Sequence, residues 1–258
     1  MIEALRNALA DVHLAERPVD EVQKLAKRLR RKHPELLQEA PLQLRVALLS
    51  SFTTSYLEEL LPLFLLARGI GVELYACPYG GMMSDLLDPE SGYHRFGAGL
   101  TVLMPTHRDL EAAGGDVDAA VADWQHIWQR IDGPVVQLSY DPPALRPLAD
   151  ADGLMDGGLL RAVRKANLAL GDATPEKVGL VDMEALAQRL GGQSFHDPRM
   201  YDLAKQPFAM EALPALADAI AAAVAARCGR ARKALVLDLG EGEAELQAVG
   251  VFADPVAV

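Results

Sequence analysis

Cysteine is scarce: Cys77 and Cys228 stand far apart in 258 residues, which excludes a disulfide framework and a cysteine-based zinc site. Basic charge is also in deficit, with 25 Lys and Arg against 36 Asp and Glu and a formal net charge of −11. That balance argues against nucleic acid as a partner, because a phosphate-backbone interface needs a broad positive face. The one local basic run, KLAKRLRRKH at 24–33, reads as the solvated face of a helix. No apolar stretch is long enough to act as an uninterrupted membrane span. LLPLFLLARGIGVELYA is broken by Arg68, Gly69, Gly71 and Glu73, and reads as a buried helix followed by a strand. The N-terminus has no charged-then-apolar leader pattern, so a cytoplasmic protein is expected. A dinucleotide-binding glycine fingerprint, a Walker loop and a His/Cys cluster are all missing, and neither cofactor nor metal is expected.

What is present is ordinary globular composition, 50% hydrophobic and 24% charged. Residues 2–37 read as two helices divided by Pro18, with Asp20 as cap of the second, forming an N-terminal helical arm over 1–41. Short apolar runs bounded by turn residues then predict strands at 44–49, 71–76, 99–104, 134–139 and 178–181. Helices are predicted between them near 54–68, 116–131, 153–169 and 183–190, and a long Ala-rich helix follows. The alternation predicts an α/β fold, a three-layer parallel sheet of about five strands of flavodoxin or SGNH type. In such sheets ligands bind beyond the carboxyl ends of the strands. The segments that matter are therefore SSFTT, CPYGGMMSDLLDP, PTHRD and SYDPP, together with FHDPRMYDLAKQPF before the Ala-rich helix.

Two stretches, LLSSFTTSYLEELLPLFLLARGIGVELYACPYGGMMSDLLDPES and FHDPRMYDLAKQPFAMEALPALADAIAAAVAARCGRARKALVLDL, resemble the FkbH-like proteins of polyketide and related pathways. The resemblance runs from about residue 42 to 239. It implies an SGNH (GDSL) hydrolase-like domain over 42–228 and the start of a haloacid-dehalogenase-like domain at 229–258. In that family the second domain loads a glyceryl unit onto an acyl carrier protein, beginning from a DxDxT motif. Here Asp238 matches the first aspartate, while Gly240 and Gly242 replace the second aspartate and the threonine. The transferase activity is therefore expected to be absent. Asp238 reads as the end of a docked strand.

The SGNH-like site departs from its pattern as well. The reactive serine position falls on Phe52, and a one-residue shift puts Ser51 there instead. Where Asp-x-x-His is implied, the chain has Asp202 to Lys205. The hydroxyls Ser51 and Thr53, the imidazoles His107 and His196, and Asp202 are the catalytic candidates by triad logic, with Asp197 a second choice of orienting acid. Ser50, Phe52, Thr54, Tyr79, Asp109, Asp197, Arg199 and Lys205 are ligand-binding candidates. Asp141, in SYDPP, reads as turn chemistry. The amides at 52–55 read as an anion-binding helix start capped by Ser51 or Thr53, to which Arg199 and Lys205 add positive charge.

Three functional expectations follow. One is an accessory protein of a polyketide-type pathway that binds an acyl carrier protein, a pathway enzyme, or an anionic acyl or glyceryl intermediate. Another is an active esterase, thioesterase or acyltransferase using Ser51 or Thr53. The last is a fragment of a full-length glyceryl-loading enzyme. Apolar helix faces at both ends also offer surfaces for homo-oligomerisation.

Overall fold

The computed structural model describes residues 2–230, except for the side chain of Gln193. Asp238, Gly240 and Gly242, on which the second-domain expectation rests, lie outside the described residues. The N-terminal segment forms α1 (Ile2–Ala10), α2 (Val19–Lys32) and α3 (Glu35–Gln38). Alternation then begins, through β1 (Leu42–Ser50), α4 (Ser55–Leu66), β2 (Ile70–Ala76), α5 (Met82–Leu87), α6 (Gly92–Phe96) and β3 (Leu100–Met104). It continues with α7 (His107–Ala112), α8 (Val117–Arg130), β4 (Val135–Leu138), α9 (Leu159–Ala173), β5 (Val178–Val181), α10 (Met183–Arg189), α11 (Pro198–Ala204) and α12 (Leu213–Arg227).

The five strands pair in parallel in the order β2-β1-β3-β4-β5, which gives a flavodoxin-like three-layer α/β fold. Both sheet faces are covered, so the central strands are apolar almost without interruption: all five residues of β3 and the last five of β1 are buried. Leu48, Phe64, Leu216 and Ile220 belong to the core on one face, between the sheet, α4 and α12. Leu49, Leu103, Trp128 and Val163 belong to the core on the other, under α8 and α9. Each buried aliphatic or aromatic side chain contributes about 1.5–3 kcal/mol. The alanines of α12 have a packing purpose, since Ala217, Ala221 and Ala225 are buried and let the helix lie close to its neighbours.

Residues 2–38 share this core, with Leu5, Ala8, Val22, Ala26 and Leu29 buried in the α4–α12 cluster. Asp20 does not cap α2. Pro18 occupies the cap position, and Asp20, the second residue of the helix, accepts from Lys24 Nζ at 2.7 Å. The helix expected from 153 starts at Leu159, because the buried Asp152 carboxylate takes Leu160 N at 2.7 Å and Leu148 N at 3.1 Å, fixing 148–158 as a folded loop. No described helix is long and apolar enough to cross a membrane.

Candidate functional site

The carboxyl ends of β1, β3 and β4 hold two polar clusters. In the first, the chain leaves β1 through Ser51, whose N–H donates to Met104 O at 3.3 Å and whose Oγ donates to Asp109 Oδ2 at 2.6 Å. Asp109 lies in the first turn of α7 and reaches back to Thr106 N at 2.7 Å, as the acidic member of a capping box does.

Two of the turn amides expected to hold an anion, those of Phe52 and Thr53, are taken within the fold. Phe52 N donates to Ser50 Oγ at 3.0 Å, and Thr53 N to Lys205 O at 3.0 Å. Neither Ser51 nor Thr53 caps α4. Thr54 takes the cap position, but its side chain accepts from no helix amide; its hydroxyl donates instead to Glu58 Oε1 at 2.7 Å, a carboxylate in the first turn. Phe52 is a core residue, 3% exposed and edge-on to Phe208 with ring centroids 5.2 Å apart. Ser50 and Thr54 are buried with it.

The second cluster centres on Asp141, which has no exposed surface. Its Oδ1 accepts from His107 N at 2.8 Å, while Oδ2 meets His107 Nδ1 at 2.8 Å and His196 Nε2 at 2.6 Å. Burial would raise its pKa, but hydrogen bonds and charge from the two imidazoles outweigh that and hold the carboxyl well below the usual carboxylate range. The turn reading of Asp141 is therefore corrected: this residue ties the β3, β4 and pre-α11 loops together. Asp202 does not orient His196, being exposed on α11, and Asp197 is occupied in accepting from Arg199 N at 2.9 Å as the cap of that helix.

His107, Asp141 and His196 are donor types that could hold a transition metal, with their atoms within 4.8 Å of one another. A tetrahedral zinc site with bonds near 2.0–2.1 Å has ligand–ligand edges of about 3.3 Å. The separations at Asp141 Oδ2 are shorter and are those of hydrogen bonds. His196 also lines a cleft of about 850 Å³ with Pro142, Leu145, Arg146 and Ser194.

Beside the first cluster stands a positively charged wall. The Arg108 guanidinium lies 3.8 Å from the Tyr201 ring centroid, and Lys205 Nζ lies 5.0 Å from it. Lys205 ends α11 in the left-handed conformation, φ 54°. Neither cation has an ion-pair partner among the described residues, and Arg108 Nε and Gln206 Nε2 are buried without a hydrogen-bond partner. Burial raises the Tyr201 phenol pKa, with Arg108 opposing and Tyr79 and Asp109 close by. Tyr79 is 55% exposed at the rim, and Arg199 is exposed. Sequence reading missed Arg108, Tyr201 and Gln206. Asp141 could have been found by the strand-end rule already applied to its neighbours.

No family model matches the chain, and no curated protein matches it. Among solved structures it is similar to the N-terminal part of the protein BF1531 from Bacteroides fragilis, described as containing a phosphatase domain complexed with Mg. The TM-score is 0.68 at 17% identity, over 83% of this chain and 57% of that one, so this chain spans little more than half the length of its match. At that identity the likeness establishes the α/β fold. It also overturns the expected family assignment, because the matching protein is described by a phosphatase domain, and nothing found supports an SGNH hydrolase domain.

Proposed function

We propose that this chain binds a small molecule carrying a phosphate or carboxylate at the wall formed by Arg108, Lys205 and Tyr201. The observation that supports the reading is that the two cations have no ion-pair partner among the described residues, and that the buried Arg108 Nε has no hydrogen-bond partner among them. Buried donors are rarely left unsatisfied, and a guanidinium suits an oxyanion. Whether the anionic group arrives free or tethered to a carrier protein, the recognition is the same.

Hydrolysis through Ser51 is disfavoured by its partner. A serine nucleophile needs a base with a pKa near neutrality, usually an imidazole within hydrogen-bond reach. Ser51 Oγ is bonded to the Asp109 carboxylate, and among the described residues it has no hydrogen bond to an imidazole.

Calorimetric titration with inorganic phosphate and pyrophosphate tests the binding. Saturable binding is expected, falling at least about tenfold in Arg108→Gln and in Lys205→Asn. Unchanged affinity in both variants overturns the proposal. A fluorophosphonate probe should give no label that depends on Ser51. Labelling abolished in Ser51→Ala would establish a serine hydrolase instead.

A further inference from the structure

A second cavity, of about 650 Å³, lies on the α5–α7–α8 side of Asp109. Met82, Leu86, Leu110, Trp124 and Ile127 give it an apolar body, and Met83 and Leu87, 43% and 54% exposed, stand at its mouth. Its size is that of a pocket for a small organic molecule. The flexible Met83 thioether at the entrance can adjust to a guest.

The polar features of this cavity restrict what can enter. Tyr140, 3% exposed, lines it and accepts a hydrogen bond from Trp124 Nε1 at 2.7 Å. Its own hydroxyl proton has no acceptor among the described residues. The backbone that carries the phenol is fixed by Asn167, whose Oδ1 accepts from Tyr140 N and whose Nδ2 donates to Tyr140 O, each at 2.8 Å. Burial pushes the phenol pKa up to about 12, so the hydroxyl remains a donor at every working pH. Asp109, Asp123, His126 and Arg130 also line the cavity, and of these four the two carboxylates are the groups near enough to act on the Tyr140 phenol. An anionic end at the Tyr140 hydroxyl would meet their repulsion. A neutral acceptor would not.

We infer that this cavity binds an uncharged apolar molecule through one carbonyl-type acceptor, as in a ketone, ester or amide, with Tyr140 donating to that oxygen. The site is separate from the anion-binding wall, and either can fail without the other.

The test uses 2-nonanone and nonanoate, followed by Trp fluorescence and ligand-observed NMR. The ketone is expected to bind at least about tenfold more tightly than the carboxylate. Ala113→Phe, an exposed substitution at the cavity lining that leaves the core untouched, should abolish ketone binding and leave phosphate titration unchanged. Tyr140→Phe should weaken the ketone about fivefold, the worth of one neutral hydrogen bond. No ketone binding by the wild type, equal binding of nonanoate, or ketone binding unaffected by Ala113→Phe would each overturn the inference.

Discussion

Asp109 and Asp141 stand beyond the ends of neighbouring parallel strands, and each carboxylate collects several donors, yet the two do different work. Asp109 serves residues close to it in sequence, the amide and hydroxyl of Thr106, and one distant hydroxyl, Ser51. It keeps enough contact with the surface to line a cavity. Asp141 serves His107 and His196, 34 and 55 residues away, and is sealed from solvent. A carboxylate with local partners adds modestly to one helix start. A carboxylate with distant partners in a dry site becomes a condition of the fold, because losing any member leaves unpaired charge in low dielectric.

That contrast can be broken at its strongest point first. Asp141→Ala should lower the unfolding free energy by about 3–5 kcal/mol in urea titrations, since it strands two buried imidazoles. A loss below about 1 kcal/mol would show that the cluster is incidental. Next in size is the acid response. The Asp141 carboxyl is held below its ordinary value of 3.8 in the folded state, so its contribution is complete above that pH and is lost as pH falls further. Melting curves from pH 6 to about 2 should therefore fall less steeply in Asp141→Asn than in the wild type. Asp109→Asn should cost less, about 1–2 kcal/mol for the cap and the Ser51 bond together. Ser51→Ala should be the mildest, at about 1 kcal/mol or below. A Ser51 effect as large as that of Asp141 would erase the distinction between the two clusters.

The strands were legible because burial on both faces demands short apolar runs, and parallel connections demand helices between them. LRVALL and GVELYA could be read from composition and bounding turns alone. Helix starts were less legible. Asp20 carries a capping residue's identity but sits inside α2, while Asp182, a residue of the same type, caps α10 by accepting from Ala185 N. Candidate site residues were legible by position and not by role. His107 and His196 were singled out at strand-end loops, but the acid that binds both was read as part of a turn. Arg108 drew no notice, since a lone arginine at the start of a helix carries no signal until Tyr201 is folded against it.

The sequence by itself determined the layer architecture, because periodicity and turn residues act over a few neighbours and survive in any tertiary context. It also determined that the position after Ser51 holds a phenylalanine, with no hydroxyl to offer. Only the tertiary structure decided which groups meet: that Ser51 finds a carboxylate, that two imidazoles share Asp141, and that Arg108 and Lys205 flank one ring with no ion-pair partner among the described residues. The bonds to Asp109 and Asp141 join residues 34 to 58 apart, and Arg108 meets a ring still farther along the chain, and no local pattern encodes a bond whose partner arrives only when the sheet closes.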